Sequence, residues 1–133
     1  MNCTCSNTSN KCLYACERMI DIAQDVIAKC SGMDSQECAQ KIGEILAQAE
    51  LCLKACNNAI EHCRHGIADL YEKDAVHVAQ ECIAACEKTV AAIEMVLGVC
   101  RAGKPECLDV CSRLIAACSN CAESCRKCIA MGI

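Results

Sequence analysis

The sequence has very few of the residues that usually fill a protein core. It contains no Trp, no Phe and only two Tyr, and it has a single Pro and 6 Gly. No stretch reaches the roughly 18 consecutive apolar residues of a membrane-spanning helix. The N-terminus, MNCTCSNTSNKC, lacks the basic segment and the apolar run of a secretory signal. We therefore expect a protein of the cytoplasm that has no membrane partner.

The sequence also lacks a large excess of charge of either sign. The formal net charge is −4, and the basic residues are scattered along the chain. Nucleic-acid-binding proteins usually gather Lys and Arg into a patch or a stripe that meets the phosphates. The charges are therefore predicted to form a solvated surface, and no nucleic-acid partner is expected.

Cysteine is present in great excess, at 18 of 133 positions. A chain of this length can build a core without disulfide bonds. In a reducing compartment, many cysteines more often indicate metal or redox chemistry than a disulfide framework. The thiols therefore call for a chemical explanation.

The remaining composition predicts an all-α fold. Long stretches rich in Ala, Ile, Leu, Glu, Lys and Gln favour helices, which we place at about 9–31, 34–66, 74–101 and 104–129. Gly32 is predicted to end the first helix, and Asp34 with Glu37 resembles a capping box that starts the second. Gly103 and Pro105 mark the second turn. We expect a single antiparallel four-helix bundle made of two hairpins, 9–66 and 74–129, after a flexible tail at 1–8.

The cysteines reveal a duplication of the hairpin. Six cysteines of the first half recur in the second half at an offset of 70 residues before the turn and 69 after it. Each copy is palindromic about its turn, so cysteines equidistant from the turn should lie at similar heights on the two helices. The predicted facing pairs are Cys30/Cys38, Cys16/Cys52 and Cys12/Cys56 in the first hairpin, and Cys100/Cys107, Cys86/Cys121 and Cys82/Cys125 in the second.

Each helix carries its cysteines on one face. At about 100° per residue, the six cysteines of the fourth helix fall within an arc of roughly 100°. Charged residues such as Glu17, Arg18 and Asp21 lie on other faces, with Asp25 and Lys29. The thiols should therefore line the interior of the bundle, separated by an apolar layer. The expected members of this layer are Met19, Ala23, Ile27, Ile42, Ile45, Ala49, Ile93, Leu97 and Leu114.

The predicted topology sorts the thiols into two groups along the bundle axis. The larger group lies toward the open ends of the hairpins and contains Cys12, Cys16, Cys52, Cys56, Cys63, Cys82, Cys86, Cys118, Cys121, Cys125 and Cys128. The smaller group lies near the turns and contains Cys30, Cys38, Cys100, Cys107 and Cys111. We predict all sixteen as metal ligands.

The spacing of the cysteines suits soft metal ions. Cysteines at i and i+4, as in Cys12/Cys16 and Cys121/Cys125, lie about 5–6 Å apart on one helix face, so two thiolates can reach one ion. Soft thiolates select Cu(I), zinc or iron–sulfur clusters. Zinc usually requires four ligands, whereas two or three suffice for Cu(I). Sulfurs that bridge two ions would allow a large capacity, so we predict multiple Cu(I) ions and a role in copper storage and buffering.

These features resemble a known family. A four-helix bundle with C-x3-C pairs directed inward from its helices, and above all the run C-x3-C-x6-C-x2-C-x3-C-x2-C of the fourth helix, is similar to the cytosolic bacterial copper storage proteins. The resemblance implies that many Cu(I) ions bind in the core, that they enter at one end, and that the protein is a homotetramer. We expect a storage protein and not an enzyme. A copper chaperone or an efflux system is the partner class that such a role implies.

Two other functions are compatible with the same cysteines. A disulfide-stapled helical-hairpin scaffold or interaction protein would place its cystines at the same matched heights. Zinc or another thiolate-bound metal is the third hypothesis. Auxiliary ligands are predicted at Cys3, Cys5, His62 and Met19, of which Cys3, Cys5 and His62 would act where ions enter, whereas His65 and His77 should be surface residues.

Overall fold

The protein is an all-α four-helix bundle. The computed structural model describes residues 4–31, 35–102 and 106–132. Its elements are α1 (Thr4–Ser31), α2 (Ser35–Ile67), α3 (Lys73–Arg101) and α4 (Cys107–Ala130), and these residues contain no strand. The predicted fold class is confirmed. Gly32, Asp34, Gly103 and Pro105, to which the sequence assigns turns and caps, lie outside the described residues, as does the side chain of Glu37.

The first helix starts earlier than the sequence indicates. It begins at Thr4, whereas the sequence places its start at about residue 9 after a flexible tail. Ser, Thr and Asn dominate this segment, and they favour caps and turns over helix interiors, so local propensity argues against helix there. The helix nevertheless extends over this segment, and Ser9, at the predicted start, is buried with only 3% of its surface exposed. At the other hairpin, α4 begins at Cys107, three residues later than predicted.

The four helices form a square. Helix α1 packs against α2 and α4, and α3 packs against the same two helices. In the described part of the chain, the diagonal pairs α1/α3 and α2/α4 have no Cα atoms within 8 Å of each other. The hairpins are joined after Ile67 by a tight turn, in which the amide of Asp69 donates to the carbonyl of Gly66 at 3.0 Å. This arrangement turns one face of every helix toward a shared axis.

Heptad spacing determines which residues reach that axis. On α1 the fully buried positions 12, 19 and 26 are spaced seven residues apart, and on α3 the fully buried positions 82, 89 and 96 have the same spacing. The apolar layer therefore consists of Met19, Ala23, Val26, Ile45, Ala49, Ile93, Val96 and Leu114. Ile27, Ile42 and Leu97, which the sequence places in this layer, are only half-buried. Ile27 and Leu97 follow Val26 and Val96 by one residue, outside the heptad positions.

Charged residues lie on the outside, as predicted. Glu17, Arg18, Asp21, Asp25 and Lys29 are all exposed. Surface ion pairs join neighbouring helices, the shortest being Arg101 to Glu50 at 2.7 Å between α3 and α2. Such exposed pairs contribute about 0–1 kcal/mol each, so the core holds the bundle together. None of the described helices has the length and apolarity needed to cross a lipid bilayer.

Candidate metal centre

The core of the bundle is rich in free thiols. Twelve of the described cysteines are buried and outside any disulfide: Cys12, Cys16, Cys52, Cys56, Cys63, Cys82, Cys86, Cys111, Cys118, Cys121, Cys125 and Cys128. Eleven of them have no exposed surface, and Cys63 has only 3%. Because all four helices contribute, the thiols meet across helix interfaces.

Facing cysteines within each hairpin meet as the palindrome predicts. In the first hairpin, the sulfurs of Cys12 and Cys56 are 3.7 Å apart, and those of Cys16 and Cys52 are 4.0 Å apart. In the second hairpin, the sulfurs of Cys86 and Cys121 are 3.4 Å apart. The matched heights therefore follow from the equal distances to the turn.

The two hairpins are offset from each other by about one helical turn. The sulfur of Cys12 contacts the sulfur of Cys86 at 3.9 Å and that of Cys121 at 3.6 Å. Under the duplication, however, Cys86 is the counterpart of Cys16, which lies one turn away from Cys12 on α1. This offset spreads the sulfurs along the axis instead of stacking them in discs of four.

Two groups of four sulfurs occupy the middle of the thiol-rich end. The first contains Cys12, Cys16, Cys56 and Cys121, and the second contains Cys12, Cys86, Cys121 and Cys125. Within each group every sulfur lies within 4.8 Å of the others. Cys12 and Cys121 belong to both groups, so an ion in one group would share ligands with an ion in the other.

Two groups of three sulfurs extend these central groups in both directions. Cys16, Cys52 and Cys118 form the group nearer the apolar layer, and Cys63, Cys82 and Cys128 form the group nearer the open end. Three of these cysteines, Cys63, Cys118 and Cys128, have no cysteine counterpart in the other repeat. They supply the sulfurs that bring these two groups to three ligands, because the offset between the hairpins leaves too few repeated cysteines at those heights. The four groups, which we call the sulfur column, contain all eleven cysteines of the predicted larger group.

Sulfur is the ligand type that the described core offers. The buried polar residues there are Ser9 and Thr89. The hydroxyl of Thr89 is within hydrogen-bonding distance of the carbonyls of Ala85 at 2.9 Å and Ala117 at 3.1 Å, and it links α3 to α4. A site built from thiols alone favours soft ions over hard ones such as Mg²⁺ and Ca²⁺.

Hydrogen bonds between thiols lower the pKa of some cysteines in the sulfur column and raise the pKa of others. Hydrogen bonds with Cys12 and Cys125 lower the pKa of Cys121, and those with Cys125 and Cys128 lower the pKa of Cys82. Hydrogen bonds with Cys12 and Cys121, together with burial, raise the pKa of Cys125. Hydrogen bonds to a thiolate favour the charged form, whereas burial disfavours it. A bound cation would shift the whole column toward thiolates.

Four cysteines of the predicted ligand set are disulfide-bonded. Cys30 is bonded to Cys38 with a Cα–Cα distance of 4.7 Å, and Cys100 is bonded to Cys107 with a Cα–Cα distance of 5.2 Å. The predicted facing pairs at the turns are therefore correct, but their assignment as ligands needs correction. A sulfur in a disulfide has no thiolate to give to a metal, so these four residues can bind an ion only after reduction.

The predicted auxiliary ligands lie in different parts of the structure. Met19 is fully buried in the apolar layer, one turn beyond Cys16. His62 is half-buried, and its Nε2 is enclosed without a hydrogen-bond partner among the described residues. His65 and His77 lie on the surface as predicted, beside Glu61 and Glu81. Cys3 and the side chain of Cys5 lie outside the described part of the chain.

Comparisons with known proteins identify no relative of this chain. A scan against protein-family models and searches of curated proteins and of solved structures find no match to this chain. What the site can do must therefore be argued from its own geometry. That geometry consists of a contiguous set of buried thiols compatible with thiolate metal binding.

Proposed function

We propose that the protein stores and buffers Cu(I) by binding several ions through the thiolates of the sulfur column. The observation that carries this proposal is the sharing of sulfurs between adjacent groups. Cys12 and Cys121 each belong to both four-sulfur groups, and Cys16 belongs to a four-sulfur and a three-sulfur group. Shared thiolates allow neighbouring ions to be held at short spacing, as a multinuclear cluster requires.

Cu(I) suits the column better than other soft ions because of the ligand numbers. Two of the four groups offer three sulfurs each, and no other His, Cys, Asp or Glu among the described residues joins those groups. Structural zinc sites almost always use four protein ligands in a closed tetrahedron. Two or three thiolates are enough for Cu(I), so every group in the column could be filled.

Burial supports storage over catalysis or rapid delivery. Cys12, Cys16, Cys52, Cys86 and Cys121 have no exposed surface, so no substrate larger than the ion reaches them. The apo bundle can persist without metal because a protonated Cys packs as a small hydrophobic residue. Loading then exchanges protons for metal inside a scaffold that is already folded. A reducing compartment such as the cytoplasm suits this role because it keeps the thiols free.

A Cu(I) titration of the fully reduced chain tests the proposal. Cu(I) is added anaerobically against a chromophoric chelator, and the ions retained per chain are counted. We expect several equivalents to be bound before the chelator takes up metal. Retention of no Cu(I), or of one ion only, would refute storage.

Zinc is the second candidate, because the four-sulfur groups have a spacing that suits it. Zn–S bonds of about 2.3 Å in a tetrahedron place the sulfurs about 3.8 Å apart. In the group that contains Cys86 and Cys125, the sulfur–sulfur distances from Cys12 to Cys121, from Cys12 to Cys86 and from Cys86 to Cys121 are 3.6, 3.9 and 3.4 Å. A parallel zinc titration decides between Cu(I) storage and zinc binding. Storage of Cu(I) predicts more Cu(I) than zinc per chain, whereas a zinc protein would bind zinc tightly at the four-sulfur groups alone.

A disulfide-stapled scaffold is the remaining alternative. The two disulfides support it at the turns. It requires the facing pairs of the column to be cystines as well, but the sulfurs of Cys86 and Cys121 are 3.4 Å apart and those of Cys16 and Cys52 are 4.0 Å apart, well beyond a bond. Alkylation of the denatured protein without reductant measures this directly. More than two disulfides per chain would favour the scaffold.

A further inference from the structure

A group of three cysteines lies apart from the sulfur column, at the turn end of the second hairpin. The sulfurs of Cys100, Cys107 and Cys111 all lie within 4.8 Å of one another. Cys100 and Cys107 are joined in a disulfide, whereas Cys111 is free. We call these residues the turn trio. Two of its three potential ligands are thus blocked, and the third is a buried thiol.

The turn trio is separated from the sulfur column. On α4 the nearest sulfur of the column belongs to Cys118, which is seven residues or about 10.5 Å of helix rise beyond Cys111. Leu114 and Ile93, both without exposed surface, belong to the apolar layer between the two ends. An ion at the turn trio would therefore share no ligand with the column.

Cys111 is poorly suited to exchange disulfide partners along its own helix. Cys107 and Cys111 stand at i and i+4, where Cβ atoms are about 5–6 Å apart. A disulfide needs Cβ atoms about 3.8 Å apart. A bond between these two residues would distort α4, so Cys111 is placed as a third ligand and not as a resolving cysteine for Cys107.

The first hairpin provides an internal comparison. Its disulfide, Cys30–Cys38, is the counterpart of Cys100–Cys107. By the offset of 69 residues that relates Cys38 to Cys107, the counterpart of Cys111 is Ile42. A disulfide that served only as a staple would need no third cysteine, and the first hairpin has none. The second hairpin carries a thiol in place of an aliphatic side chain, within reach of both disulfide sulfurs.

We infer that the turn trio is a redox-controlled binding site for one soft monovalent ion, closed by the Cys100–Cys107 disulfide and opened by its reduction. A dithiol reductant would supply two electrons and two protons, become a cyclic disulfide itself, and leave two thiols beside Cys111. Cu(I) would then bind as those thiols release protons. Cys100 and Cys107 retain 4% and 7% exposure, whereas Cys12 and Cys121 have none, so a small reductant meets the trio from the bundle end.

This inference rests on the proposed binding of Cu(I) by thiolates. It adds redox control of ion binding, which the column lacks. When the disulfide is formed, the trio offers one sulfur and holds no ion. When it is reduced, three sulfurs converge on one point. The capacity of the protein would therefore rise in reducing conditions, while the column itself keeps the same thiols in both states.

The test measures how many Cu(I) ions the full-length chain retains before and after reduction. A variant with Cys30→Ser and Cys38→Ser serves as the background, so that the second disulfide is the one that changes. Half of the sample is treated with dithiothreitol, which is then removed anaerobically, and the other half is left oxidised. Both are titrated with Cu(I) against a chelator, and alkylation in denaturant confirms the disulfide state of each.

We expect the reduced sample to retain about one more Cu(I) per chain than the oxidised sample, as befits one group of three thiolates. Adding Cys111→Ile, which installs the residue found at position 42, leaves a site of two thiols that should lose its ion to the competing chelator. Most of the gain should therefore disappear, while the capacity of the oxidised form stays the same. Equal capacities in the two redox states, or a gain that survives Cys111→Ile, would overturn the inference.

A second variant keeps the test decisive if Cys111→Ile disturbs the fold. Ile42→Cys in the otherwise natural chain gives the first hairpin a trio of its own. Three thiols should hold an ion there against the chelator, so the gain on reduction should grow by about one further ion. No enlargement in a variant with normal helix content would contradict the inference. Absence of Cu(I) binding to the column in both redox states would instead refute the proposed function, so the two failures are distinguishable.

Discussion

The sulfur of Cys12 on α1 lies 3.6 Å from the sulfur of Cys121 on α4, although 109 residues separate them in the chain. This contact joins the two hairpins at the centre of the sulfur column. Both residues belong to both four-sulfur groups. They are therefore the positions at which a change should affect the largest part of the proposed copper site.

Replacing Cys12 and Cys121 by Ser should lower the Cu(I) retained against a chelator by about two equivalents, one for each four-sulfur group. Each group then keeps only two thiols, and a hydroxyl is a poor ligand for a soft ion. Capacity is measured by anaerobic titration against a chelator. The matched control is Cys63→Ser with Cys128→Ser, which removes the same number of thiols but disturbs one three-sulfur group. An equal loss in the two double variants would show that shared sulfurs have no special role.

The disulfide of the first hairpin should stabilise the metal-free protein without contributing to the column. Its residues are 8 apart in sequence, and closing so short a loop stabilises the folded state by about 2 kcal/mol. We expect Cys30→Ser with Cys38→Ser to lower the free energy of unfolding by that amount in a urea titration without reductant. The oxidised natural chain and the variant should retain equal numbers of Cu(I) ions. A large loss of capacity would place these residues in the metal site instead.

The sequence predicts the pairing within each hairpin but not the position of one hairpin against the other. Equal distances from the turn determine that Cys12 meets Cys56 and that Cys86 meets Cys121. Nothing comparable links Cys12 to Cys86, since heptad spacing sets which face of a helix points inward and leaves sliding along the axis undetermined. The offset of about one turn, and with it the sharing of sulfurs, therefore emerges only from the packed structure.

The sequence also leaves the oxidation state of facing cysteines undetermined. Cys30/Cys38 and Cys16/Cys52 have the same kind of palindromic spacing, yet the first pair is a disulfide and the second is 4.0 Å apart. Bonding depends on how closely the helices approach at each height, and Cα atoms must come within about 7 Å with suitable Cβ directions. Near the turns the helices approach closely enough for a bond to form.

The apolar layer should contribute stability and not binding. Leu114 is fully buried between the sulfur column and the turn trio. Leu114→Ala should lower the free energy of unfolding of the metal-free protein by about 2–5 kcal/mol, through lost burial and the cavity that remains. Urea denaturation measures this loss, and titration of the still-folded variant should give an unchanged Cu(I) capacity. Leu51→Ala is the matched control, because Leu51 is 62% exposed and its truncation should have little effect.

Raising the pH should destabilise the metal-free protein through Cys111. Burial raises the pKa of this thiol from its ordinary value of 9.0 to about 11. The unfolded chain therefore loses this proton at lower pH than the folded chain does. The stability that the neutral, buried thiol contributes is fully present below about pH 9 and is lost as the pH rises toward 11, by up to roughly 2.7 kcal/mol.

Urea titrations between pH 7 and 11, under argon and with the disulfides intact, measure this effect. The natural chain should lose more stability over that range than Cys111→Ala, in which the titrating group is gone while the column thiols remain. The difference between the two pH profiles isolates Cys111 from the other buried thiols. Parallel profiles would mean that the thiol of Cys111 ionises as readily in the folded protein as in the unfolded chain, and that its burial does not control its proton.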